Sequence, residues 1–198
     1  MANFMYYMAP QIVKETNRGL DRYTIQDEML RHREVECLTE IDEESAAVLI
    51  DQLRYLHRED PRAEITMYIN SPGGEVTSGM ALFDVMKAVN CPIRTVCIGL
   101  AASMGAVLFE AGTTREIMKH GRVMIHDPLK AGKISASALQ LQSMSESLMS
   151  TRRMIAEILA GATGKTVEEI YEKTKADTYF DAEEAIAFGL ADRIIEKI

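Results

Sequence analysis

The chain has no tryptophan, and only three cysteines among its 198 residues. Cys37, Cys91 and Cys97 are odd in number and form no C-x-x-C pair, so neither a disulfide framework nor a zinc site is expected. That usage fits a reducing, cytoplasmic compartment. Positive charge is also scarce: 22 Lys and Arg stand against 30 Asp and Glu, for a formal net charge of −8. Such a surface repels nucleic acid and anionic membranes, and neither is expected as a partner. No apolar run approaches the ~20 residues that a bilayer span needs. Residues 1–10 are apolar but short, with no leading Lys or Arg, so they do not read as a secretion signal. What remains is ordinary for a globular chain, 47% hydrophobic and 26% charged, of a length that suits one domain. Thirteen methionines add adaptable packing of a kind useful at subunit contacts.

Residues 1–22 lack sustained periodicity apart from a turn signal at Asn17-Arg18-Gly19, which predicts a mobile arm ahead of a single domain over 23–198. A short helix is expected near 23–33. A clear one follows Asp42, with Ala46, Leu49, Ile50, Leu53 and Leu56 at helical spacing. Asp60-Pro61 breaks it. Residues 65–69 read as a strand that ends in Asn70-Ser71-Pro72-Gly73-Gly74. A helix from about 78 to 89 should bury Met80, Phe83, Met86 and Val89, and residues 93–98 form the next strand. This βαβα pattern predicts a parallel sheet whose strand-end loops carry the chemistry. A further strand pair is expected at 116–119 and 123–125. The longest helix should span about 135–159, with Leu141, Met144, Leu148, Ile155 and Ile158 as an apolar seam and Thr151 interrupting it. Residues 161–166 resemble the end of a phosphate loop but lack its spacer and preceding strand. The simpler reading makes Gly161 a helix stop and pairs Thr166 with Glu169 in a capping box. Residues 182–188 read as a helix stopped by Gly189, and 191–195 as the last strand.

The chain is organised around Gly99-Leu100-Ala101-Ala102-Ser103-Met104-Gly105-Ala106. A serine among small residues at a strand-to-helix turn has the geometry of an exposed nucleophile, although a serine at a helix start is more often a cap. A serine nucleophile needs a base, a carboxylate to orient it, and donors for the oxyanion. Among four histidines only His126 ends an apolar strand; Asp177 stands out as a loop residue before Tyr179-Phe180. The backbone N–H groups of Gly73 or Gly74, and of Met104, are the candidate donors. This constellation alone leaves open an acyl-CoA enzyme that relies on backbone donors.

The segments 67–74, 99–106 and 123–126, with the closing stretch 177–192 and its Glu-Ala-x-x-x-Gly-Leu-x-Asp pattern, resemble the proteolytic subunit of the Clp protease, ClpP. The resemblance runs from about Tyr23 to Ile195 with the same order and nearly the same intervals. It implies an α/β, crotonase-like fold of stacked βαβ units with a protruding handle helix. It also implies stacked seven-membered rings around a chamber, with an AAA+ unfoldase of the ClpX, ClpA or ClpC type feeding in unfolded polypeptide. Carried over by residue, Ser103 is the nucleophile, His126 the base, Asp177 the orienting acid, and Gly74 and Met104 the oxyanion donors. Gly73, Leu129 and Lys130 would contact substrate. No metal or cofactor is implied for this chain; ATP would be used by the unfoldase. Residues 1–10 would include a propeptide trimmed in a Ser103-dependent step.

The departures are specific. Asp127-Pro128-Leu129-Lys130-Ala131 replaces the family's Gln-Pro-Leu-Gly-Gly, and Asp127, on the opposite strand face from His126, is not expected to join the triad. Lys175-Ala176 replaces an Asp-Arg pair that ties the two rings. Thr66 replaces an aromatic of the unfoldase-docking pocket, and residues 35–39 replace an apolar strand ending in Gly. These mark a divergent paralogue. They keep in view a non-catalytic ring subunit that works beside an active paralogue, and an acyl-CoA hydratase or isomerase of the same fold, which would not need Ser103.

Overall fold

A computed structural model of the chain describes residues 11–17, 19–130, 132–133 and 135–198. The expected propeptide lies outside these residues. The expected arm is, from residue 11 on, an antiparallel hairpin of β1 (Gln11–Thr16) and β2 (Gly19–Thr24). Gly19 takes φ 116 at its turn, a conformation glycine adopts without strain. The turn was legible, whereas the flanking strands lack the alternation of a half-buried strand because they are almost wholly exposed.

The body follows as α1 (Ile25–Arg31), β3 (Glu34–Cys37), α2 (Glu43–Glu59), β4 (Ile65–Ser71), α3 (Val76–Ala88), β5 (Ile93–Ala102) and α4 (Met104–Glu110). Then come β6 (Thr114–Met118), β7 (Arg122–Ile125), α5 (Ala138–Thr163), α6 (Val167–Thr174), β8 (Thr178–Phe180), α7 (Ala182–Phe188) and β9 (Arg193–Ile195). The main sheet runs β3-β4-β5-β6-β9, parallel throughout, as the βαβα pattern predicts. Its spine is β5. Arg94–Cys97 pairs with β6, and Leu100–Ala102 then pairs with β7. The expected strand pair therefore does not pair with itself; both members lie along β5 in tandem. Gly121 makes the step between them, in a turn closed by its N–H to Met118 O, where a Cβ would lie 2.7 Å from Ile117 Cγ1.

The apolar stripe of α2 buries Ala46, Leu49, Leu53 and Leu56 as its spacing predicts, and Asp42 and Ser45 form its capping box. On α3 Met86 is buried as expected, together with Gly79 and Leu82, while Met80, Phe83 and Val89 are only partly buried against the core. Gly79 lets α3 pack closely on Met104, whose side chain fills the space where a Cβ on residue 79 would stand, 2.2 Å from Met104 Cγ. Helix α4 is buried along its whole length. Helix α5 starts from a capping box at Ser137 and runs through Gly161, ending at Gly164 in the left-handed conformation with φ 71. Gly161 faces open space and takes no part in the stop. Of its expected seam only Ile155 is buried, with Ala156 and Leu159 beside it; Leu141 is exposed, and Met144 and Leu148 are half-buried. The first half of α5 therefore stands away from the body as a handle. The Thr166–Glu169 and Asp181–Glu184 boxes start α6 and α7, and Gly189 stops α7.

Candidate active site

Ser103 occupies the junction of β5 and α4 with φ 53 and ψ −119. A non-glycine residue held there stores about 1–3 kcal/mol of strain and persists only where its surroundings over-determine it. They do so here. The Ser103 N–H donates to Met124 O at 2.8 Å, and its carbonyl accepts from Ala106 and Val107 at the start of the buried α4. The hydroxyl makes no capping bond. Its Oγ instead lies 2.8 Å from His126 Nε2, which argues against the capping alternative.

His126 immediately follows β7, and its Nδ1 lies 3.0 Å from Asp177 Oδ1. A short strand that the sequence reading did not resolve brings the two together. β8 pairs antiparallel with β7, with Ile125 opposite Thr178, and extending that register by one residue sets His126 opposite Asp177. The signal was available in Tyr179-Phe180, an aromatic pair with strong strand preference. Thr178 fixes the approach from α6, its hydroxyl donating to Lys173 O at 2.6 Å. The His126 side chain is 17% exposed and that of Asp177 61%, so the relay runs from a sheltered end to a solvated one.

The turn after β4 is held by Ser71, whose part was not read from the sequence. Its Oγ donates to Thr39 O at 2.6 Å and accepts from the Gly73 N–H at 3.1 Å. The Gly73 carbonyl accepts from Ile41 N–H, and Ile41 O from Glu75 N–H. Gly73, read from the resemblance as a substrate contact, thus spends both backbone groups inside the turn. It packs under the serine, where a Cβ would come 2.7 Å from Ser103 Cβ. The N–H groups of Gly74 and Met104 have no protein partner among the described residues, and both residues line the cleft that holds Ser103 and His126. Two unspent donors beside a serine hydroxyl are what a developing oxyanion requires.

The cleft has a volume of about 880 Å3. Leu129 and Lys130 form part of one wall; the handle supplies Met144 and Leu148, with Ile155 and Leu159 deeper along α5. Ala131 lies outside the described residues. Asp127 turns away from the relay, as the strand alternation predicts, to Arg152 and Thr174. Thr66 is buried, and its hydroxyl accepts from Arg94. Lys175 is ion-paired within its own subunit to Glu172 at 2.6 Å. Burial pushes the Cys37 and Cys97 thiols up to about 11, so neither supplies a thiolate near neutral pH. No helix among the described residues is long and apolar enough to cross a membrane.

A family model described as Clp protease matches residues 17–198. Among curated proteins, the chain is 40% identical over 190 residues to the ATP-dependent Clp protease proteolytic subunit 2 of Chlamydia trachomatis serovar D. The alignment covers 95% of this chain and 93% of that protein, and the serovar A protein of the same name matches equally.

Proposed function

The chain belongs to the Clp protease family, and from that premise we propose that it is a proteolytic subunit whose serine endopeptidase site is Ser103, His126 and Asp177. The observation that carries the residue assignment is the hydroxyl of Ser103, held in a strained turn, unused as a cap, and in line with His126 and Asp177. His126 Nε2 takes the hydroxyl proton as Oγ attacks the carbonyl carbon of a peptide bond. Asp177 keeps the Nδ1–H tautomer and stabilises the imidazolium. The N–H groups of Gly74 and Met104 bind the oxyanion. His126 then gives its proton to the leaving amine, and water releases the acyl group by the same steps in reverse.

The substrate is an extended, unfolded polypeptide lying against the wall of Leu129 and Lys130, with an apolar side chain directed toward Met144, Leu148 and Ile155. The chain acts in stacked seven-membered rings fed by an AAA+ unfoldase of the ClpX, ClpA or ClpC type, which consumes the ATP. The exposed apolar half of α5 supports the stacking. An acyl-CoA hydratase on this fold would have no use for the Ser103–His126 contact.

A fluorophosphonate probe tests the site directly. The wild-type chain should be labelled at Ser103 and should hydrolyse a short fluorogenic peptide, while Ser103→Ala should assemble normally and do neither. Turnover by Ser103→Ala at the wild-type rate would overturn the assignment.

A further inference from the structure

We propose that Asp127 is a positioning residue, which sets the His126–Asp177 geometry by tying the end of β7 to α5 and α6 at once. This inference rests on the serine-peptidase reading above. Asp127 follows the proposed base directly, and its backbone N–H donates to Thr174 O at 2.8 Å. Its carboxylate splits between two partners, Oδ1 accepting from the Thr174 hydroxyl and Oδ2 from Arg152 Nε, each at 2.6 Å. Thr174 is buried at the end of α6, three residues before the proposed acid. Arg152 lies on α5, and its guanidinium stacks 3.8 Å from the centre of the Tyr171 ring on α6.

Base and acid therefore hang from one carboxylate, one residue to one side of the clamp and three residues to the other. The other ties on their separation are short-range ones, the β7–β8 ladder and the Thr178 hydroxyl on Lys173 O. The β7–β8 ladder has three residue pairs, and Asp177 itself is solvated. Charge-assisted bonds at these lengths are short and directional, and Arg152 has no other carboxylate partner among the described residues. Ladder and clamp share the work: the ladder sets which residues face each other, and the clamp stops the α6 end from sliding along β7.

The test uses full-length protein in its assembled form and reads kcat, KM and the rate of fluorophosphonate labelling at Ser103. Asp127→Ala should lower kcat and labelling by roughly 10²-fold, the scale expected for misplacing a catalytic group by about 1 Å, with KM within about twofold. Asp127→Asn keeps the shape and the Thr174 bond but not the charge on Arg152, so it should fall between Asp127→Ala and wild type. Thr174→Ser should retain activity where Thr174→Val loses it. Asp127→Ala combined with Arg152→Ala should be no worse than Asp127→Ala alone, because both break one clamp. Sedimentation and thermal midpoint show whether each variant keeps its assembly, and Asp127→Asn decides should Asp127→Ala fail to fold. A reactive wild type with Asp127→Asn unchanged, losses that track the thermal midpoint, or an additive double variant would overturn the inference alone. A wild type unreactive toward the probe would overturn the peptidase reading and this inference with it.

Discussion

Two carboxylates lie within the interior, and they are answered differently. Glu116 bonds Arg94 on one side and Arg193 on the other. Glu110 has Arg115, which Asp192 shares, and its Oε1 has no partner among the described residues. Burial pushes the Glu110 carboxyl up to about 8 from its ordinary 4.5, against the pull of Arg115. The unfolded chain gives up this proton near 4.5 while the folded chain holds it to about 8, so the folded state binds more protons across that window. Stability should therefore fall as pH rises from about 5 to 8, by on the order of 3 kcal/mol. Glu110→Gln removes the titration and should flatten the curve. Urea denaturation of both proteins at pH 5 and pH 8 checks this, and parallel pH dependences would show the carboxyl to be ionised throughout. Neither the depth of Glu110 nor its partners were legible in the sequence, where it reads as one more acid near a helix end.

Arg33, between α1 and β3, does for the elements what capping residues do for single helices. Its φ of 63 breaks the chain direction, and its guanidinium gathers the carbonyls of Leu56, Asp60, Ala63 and Glu64 at 3.0–3.1 Å. The C-terminal turn of α2 and the loop into β4 are thereby pinned to the start of β3. Arg33→Ala should cost about 3 kcal/mol in thermal or urea unfolding, since several carbonyls lose a charged donor together. Arg33→Lys should recover only part of it, because an ammonium cannot present the planar fork. Sequence spacing made much else at this scale legible. The stripe of α2, its cap at Asp42, the box at Thr166 and the βαβα core all follow local rules. Contacts between elements were not legible. Met104 packs onto Gly79 of α3, Gly164 rather than Gly161 stopped α5, and β8 pairs along the edge that β7 offers. The site divides the same way. Ser103 and His126 stand out through their own strand ends, Asp177 only as one acid among many, marked by the aromatic pair that follows it, and Ser71 appeared only when the turn was built.

Assembly belongs to the whole molecule. Leu139, Leu141 and Met149 expose apolar surface along the handle, worth about 25 cal/mol for each Å2 a second ring covers. Against that gain stands the missing Asp-Arg tie. The Lys175 charge that replaces it is already answered by Glu172 within the subunit, which softens repulsion without restoring attraction. The purified chain alone should therefore be partly dissociated and weakly active, and a ClpP paralogue from the same cell should raise its activity. Analytical ultracentrifugation beside a peptidase assay decides the matter. A tight, fully active double ring built from this chain alone would show that the handle surface suffices.

The tandem pairing along β5 also orders how the molecule comes apart. Val96 and Cys97 are hydrogen-bonded into a strand flanked on both sides, so their amides exchange with solvent only when the whole body opens. β8 is three residues at an edge, paired with β7 alone, and it opens at lower cost than β5. Ser103 is rooted in the slow-exchanging centre and Asp177 in that fast-opening margin. A local opening of β8 would thus part Asp177 from His126 while the serine turn stays folded, and closure of three residue pairs would restore their contact.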